Sequence, residues 1–165
     1  GVRRKEMAAL SWQELDLDKG IWNLHFSRTK NKQSHTIYLS KIAIELLSDL
    51  KRITGHSEFV FDTSRDTQRC HIHEDSLTSA LARLRKTTLL SELEPFTIHD
   101  LRRSAATAWG EYLKTPPHII EHMLNHQPRN KLIATYQQAV HAQEQKQTWL
   151  AWGEIVERQI ARDPG

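Results

Sequence analysis

The chain has 165 residues, the size of one domain, and its 38% hydrophobic content with five Trp is enough to bury a core. Formal net charge is +3, mean hydropathy is −0.61, and no apolar run approaches the roughly 18 residues of a membrane helix, so a helical membrane span is not expected. The single cysteine, Cys70, excludes an intrachain disulfide and a cysteine-rich zinc site, which fits a reducing, cytoplasmic setting.

The chain starts Gly1-Val2-Arg3-Arg4-Lys5, with no apolar stretch behind it to make a signal peptide and no Met before it. It is therefore expected to be a piece of a longer protein. Residues 3–10 end on Met7-Ala8-Ala9-Leu10 and are expected to finish a helix begun upstream of Gly1. Asp16 to Gly20 is a predicted turn. Residues 21–26 and 36–39, rich in Ile, Trp, Phe and Tyr, are predicted strands around a polar tip at 29–33, together a small antiparallel sheet. Ser40 is placed to cap a helix over 41–53 with Ile42, Leu46, Leu47 and Leu50 on one face. Phe59-Val60-Phe61 is a short buried segment, 62–73 a polar loop, 75–85 a helix and 87–97 a connection through Pro95. A helix over 98–113 follows Thr97, Pro117 opens another that ends near Asn125, a short helix over 130–140 carries Tyr136, and an amphipathic helix closes the chain over 142–161. The fold class is mainly α with a small antiparallel β-sheet, α+β.

Charge is not evenly spread. Residues 1–40 hold seven Lys/Arg against four Asp/Glu, which accounts for the whole excess, and the remainder is balanced. Such a local basic bias suits a polyanionic partner.

Taken singly, the candidate chemical residues have plain structural explanations. His99 and Arg102 sit three apart, so on a helix they share a face and can grip one phosphate, but they also read as a solvated helix start. Arg3 and Glu6, also three apart, make an ordinary helical ion pair. Lys30 and Lys32 decorate a hairpin tip, where charge is common, although a lysine on a mobile hairpin can deliver a proton to a leaving oxygen. His118 and His122, four apart with Glu121 between them, match the H-x-x-E-H pattern of a zinc hydrolase but lack an obvious third ligand. His126 falls behind a turn ended by Asn125.

Order and spacing say more. Gly1-x-Arg3-x-x-Glu6-x-x-x-Leu10-x-Trp12, then Lys30 in T-K-N-K, then His99-x-x-Arg102 in T-I-H-D-L-R-R-S, then Leu124-Asn125-His126, then Tyr136 ten residues later run through nearly the whole chain. In this the sequence resembles the tyrosine recombinases, and its tail resembles integrases of satellite phages and genomic islands. Asn125 stands where that family usually has Gly, a substitution a left-handed turn tolerates.

The resemblance implies the catalytic-domain fold of that family over residues 1–165, lacking the family's N-terminal core-binding and arm-binding domains. It implies a DNA strand-transferase, independent of metal and ATP, that works through a 3′-phosphotyrosine. Tyr136 would be the nucleophile, Arg3, Arg102 and His126 would hold the phosphate, and His99 would take the phenol proton. Lys30 would protonate the 5′-oxygen, with Glu6 in support. The implied partner is double-stranded DNA at attachment sites, bound by a homotetramer on paired sites formed from monomers, with no cofactor and no membrane. Type IB topoisomerase-like relaxation and the zinc hydrolase of His118 and His122 are the alternatives. The stripe Trp149, Trp152, Val156 and Ile160 is too apolar to stay wet and is expected to dock on its own domain.

Overall fold

The computed structural model describes residues 1–63, 70–126 and 141–162. Three strands, β1 (Leu15–Asp16), β2 (Ile21–Leu24) and β3 (His35–Tyr38), form an antiparallel sheet in that order, with Trp22 opposite Ile37 and Leu24 opposite His35. Trp22, Leu24, His35 and Ile37 are buried and their neighbours Asn23 and Thr36 are exposed, the alternation of a sheet with one face on a core. The turn into β2 closes at Gly20, whose φ of +66° is the left-handed conformation that glycine adopts without cost.

Among the described residues there are seven α-helices: α1 (Arg4–Ala8), α2 (Lys41–Thr54), α3 (Glu74–Leu84), α4 (Thr88–Ser91), α5 (Ile98–Glu111), α6 (Pro117–Met123) and α7 (Ala142–Arg162). The core runs from Leu10, Leu24 and Val60 to Ile119, Met123 and Trp109, the last with none of its surface exposed.

Three expectations need correction. The first helix does not run in from upstream of Gly1. Arg3 is extended and caps it, because the Glu6 carboxylate reaches back to accept from the Arg3 N–H at 2.9 Å. The strand expected over 21–26 stops at Leu24, since His25 Nδ1 accepts from the Ser27 N–H and winds Phe26–Arg28 into a 3-10 turn. Leu46 is 60% exposed, and α2 turns Ala43, Ile44, Leu47 and Leu50 to the core instead. The predicted helix over 130–140, and Tyr136 on it, lie outside the described residues.

The C-terminal helix docks on the same chain. Trp149 is buried with its ring edge-on to Trp109, centroids 4.9 Å apart at 67°. Thr148 Oγ1 meets Thr115 Oγ1 at 3.1 Å. Trp152 packs against the core beside Trp149, while Ile160 is 55% exposed, so the stripe docks in its first half. Ser40 holds the N-cap position of α2, yet its side chain makes no cap bond. Glu157 Oε1 accepts from the Ile42 N–H at 3.0 Å in its place. Ser40 packs against Gly153, where an added Cβ would lie 2.1 Å from Ser40 Cβ. Gly153→Leu should therefore lift α7 and lower stability by about 2 kcal/mol or more, the scale of overpacking in a core. Chemical denaturation followed by tryptophan fluorescence measures it. An unchanged midpoint would mean that Gly153 does not pack on Ser40, and a dimer by light scattering that dissociates on Trp149→Ala with Trp152→Ala would place the helix on a neighbouring molecule.

Candidate active site

The turn that ends α6 is the centre of the site. Leu124 is the helix C-cap, Asn125 follows in the left-handed region at φ +49°, and His126 comes next. The Asn125 N–H donates to the His122 carbonyl and the His126 N–H to the Glu121 carbonyl, both at 2.9 Å, so the helix closes in a Schellman motif. The backbone position of His126 is thereby set by the helix itself.

Two arginines from distant parts of the chain converge on this turn. Arg3 pairs through Nη1 with Glu6 Oε1 at 3.0 Å and donates through Nη2 to the Asn125 carbonyl at 3.0 Å. The ion pair read from the sequence is present, then, and Glu6, itself buried, aims Arg3 at the turn. Arg102, one helical turn beyond His99 on α5, is buried. It donates to the Gly1 carbonyl, to the Leu124 carbonyl at 2.5 Å, and lies 3.4 Å from His126 Nε2. Burial, and then the charge of Arg3, push the Arg102 guanidinium down to about 10, against the pull of Glu6 and Glu121. It therefore stays charged at neutral pH, in a place where an anion is favoured.

His126 Nδ1 lies 2.8 Å from Glu121 Oε2. Arg102 can only donate, so the facing Nε2 is the acceptor and the proton on Nδ1 goes to Glu121. Glu121 thus serves His126, and its two neighbours on α6 face elsewhere. The His118 and His122 rings pack against His141, centroids 5.0 and 5.9 Å apart, and neither lines the cleft. Among the described residues no group of three His, Cys, Asp or Glu side chains is disposed to hold a metal ion.

Thr97 begins α5 with a capping box. Its hydroxyl and then its N–H hold the Asp100 carboxyl below the usual range. Asp100 also pairs with the exposed Arg103, and of the charged or titratable side chains in this segment His99 and Arg102 line the site. Lys30 is exposed on the tip between β2 and β3. That tip is fastened: Thr29, buried, bonds through Oγ1 to the Phe26 and Gln33 carbonyls at 3.0 and 2.9 Å.

Arg3, Glu6, Lys30, His99, Arg102 and His126 all line one open cleft of about 960 Å³, whose walls carry seven Lys/Arg against two carboxylates. The sequence reading missed three residues beside it. Arg28 ties Glu14 to the Glu6 carbonyl. Asn31 donates to the Asn125 carbonyl at 2.9 Å and to its Oδ1 at 2.7 Å. His35 is buried under the turn, and burial pushes its imidazole down to about 4, with the charges of Arg102 and Arg3 adding to the effect and a bond to the Met123 backbone opposing it. A neutral His flanked by the exposed Ser34 and Thr36 gives no local pattern to read.

His35 makes stability pH-dependent. Between about 4 and 6.5 the unfolded chain binds a proton there that the folded chain does not, so stability falls as pH falls through that window, by up to about 3 kcal/mol. His35→Gln should flatten that part of a denaturation-midpoint profile, and a slope left unchanged would assign it to another group.

The described phage integrase family matches residues 1–143. Prophage integrase IntA of Escherichia coli (strain K12) is 28% identical over 155 residues, 94% of this chain and 36% of that protein. The integrase of Enterobacteria phage P4 is 28% identical over 163 residues, 92% of this chain and 36% of that protein. The chain thus spans little more than a third of these curated relatives. Among solved structures, the crystal structure of XerA recombinase superposes with a TM-score of 0.60 at 16% identity, over 86% of this chain and 53% of that one, a likeness of fold.

Proposed function

The chain belongs to the phage integrase family, and from that premise we propose that it is the catalytic domain of a longer recombinase that cuts and rejoins DNA at specific sites. The observation that carries this reading is the convergence of Arg3, Lys30, His99, Arg102 and His126, drawn from four separate segments, on one cationic cleft.

A phosphodiester already repels a nucleophile, and its non-bridging oxygens gather charge in the transition state. Fixed guanidinium donors at those oxygens lower the barrier. Arg3 and Arg102 supply them, and His126 adds a third donor once its Nε2 is protonated, with Glu121 stabilising the imidazolium through Nδ1. The Tyr136 phenol has an ordinary pKa of about 10, so it needs a base, and His99 accepts its proton. The Tyr136 oxygen bonds to phosphorus as the bond from phosphorus to the 5′-oxygen breaks, and Lys30 gives that oxygen a proton. The phosphodiester is conserved as a 3′-phosphotyrosine, so a second 5′-hydroxyl can reverse the step without ATP. The arginines do the charge neutralisation that metal ions perform elsewhere. By the same proposal the protein is a monomer that assembles as a homotetramer on paired attachment sites, in the cytoplasm.

Incubating the full-length protein with a nicked duplex of its attachment site, in EDTA, should trap a protein–DNA adduct that peptide mapping locates. Binding should weaken as salt rises, because phosphate contacts release counterions. Absence of any adduct, or its loss on chelation, would sink the reading.

A further inference from the structure

We propose that Asn31 is a positioning residue, which locks the hairpin carrying Lys30 to the turn carrying His126 and so sets where the proton donor stands relative to the phosphate. This rests on the reading of Lys30 as the acid for the 5′-oxygen.

The two hydrogens of the Asn31 amide go to two acceptors on one residue, the Asn125 carbonyl at 2.9 Å and Asn125 Oδ1 at 2.7 Å. Asn125 is buried, which raises the worth of both bonds. Its carbonyl accepts from Arg3 Nη2 as well, so one oxygen ties the phosphate-binding arginine and the hairpin to the same point. On the other side, Asn31 Oδ1 accepts from the Gln33 N–H at 3.3 Å, which joins the clasp to the tip's own conformation.

The two partners depend on the clasp unequally. The turn has independent anchors: its Schellman bonds, Arg102 on the Leu124 carbonyl, and Glu121 on His126. The bonds of Thr29 run within the hairpin and shape it without attaching it to the turn. Arg28 and His35 still hold the base of the hairpin, so losing Asn31 loosens the tip at Lys30 and leaves Arg3, Arg102 and His126 in place. The Asn at position 125 fits this arrangement, since its Oδ1 accepts the second of the two bonds, and a glycine there would offer the carbonyl alone.

A proton donor matters only when the leaving group needs a proton, and that separates positioning of Lys30 from general damage. The full-length protein is assayed in single turnover on a nicked attachment-site duplex carrying either the normal 5′-oxygen or a bridging 5′-sulfur, which departs as a thiolate. Lys30→Ala is the control and should be slow on oxygen and restored on sulfur. Asn31→Ala should lose on the order of tenfold to a hundredfold on oxygen, the scale of an ångström's misplacement, and come within about threefold of the wild type on sulfur. Asn125→Gly keeps the carbonyl and the left-handed turn, and should show a smaller loss of the same oxygen-selective kind. It serves if Asn31→Ala does not fold. With the control restored by sulfur, an Asn31→Ala defect equal on both substrates, or no defect on oxygen, overturns the proposal. If sulfur does not restore Lys30→Ala, the role of Lys30 itself falls, and the proposal with it.

Discussion

Tyr136→Phe should bind attachment-site DNA as the wild type does and form no covalent adduct at all. The substitution removes one oxygen and keeps the ring, so the fold should survive while the oxygen proposed to bond to phosphorus is gone. The rest of the sequence makes the expectation sharp. The chain has three tyrosines. Tyr38 sits in β3, half-buried against the core. Tyr112 is 72% exposed beyond the end of α5 and does not line the cleft. Neither stands beside Arg3 and Arg102, so no second phenol is placed to take over. Gel-shift binding together with adduct trapping on the nicked duplex decides it. An adduct that persists in Tyr136→Phe and disappears in Tyr112→Phe would move the nucleophile.

Arg102→Ala should be the most damaging change among the described residues, because it removes a proposed phosphate donor and the fastening of the site at once. Loss of one preorganised donor to a developing negative charge lowers rate on the order of 100- to 1000-fold. The Leu124 carbonyl also loses its charged donor in a buried place, at about 1–3 kcal/mol. Arg102→Lys separates the two losses. An ammonium keeps the charge, but it is a single head that cannot span the Gly1 and Leu124 carbonyls and a phosphate as a guanidinium fork does. Stability should recover partly and cleavage little. Single-turnover rates and denaturation midpoints on both variants test this. Wild-type cleavage by Arg102→Lys would mean that charge alone suffices there.

What could be read from the sequence is what short range encodes. The spacing of Arg3 to Glu6 and of His99 to Arg102 puts each pair on one helical turn, and both pairs line the cleft. Asn125 was expected to take a left-handed turn, and its φ is +49°. The sheet followed from segments rich in Ile, Trp, Phe and Tyr around a polar tip, and the docking of Trp149 from a stripe too apolar to stay wet. What escaped is set by partners far along the chain. Asn31 meets Asn125 across 94 positions, and nothing near Asn31 marks it. Leu46 has the same spacing as its buried neighbours and faces solvent because α7 covers another side of α2. The start of α1 was misplaced because a capping box headed by arginine does not look like the usual Ser or Thr cap.

The bond from the Ile42 N–H to Glu157 spans 115 positions. During synthesis α2 emerges well before α7, with its first turn uncapped, and its cap arrives only once α7 has been made. At elongation rates of about 5–20 residues per second, that wait is on the order of ten seconds. Through it the Ser40 surface is bare, and so is the Trp109 ring face that Trp149 will cover. The nascent domain is then open to chaperones and proteases, and it matures only when its final helix closes over the sheet.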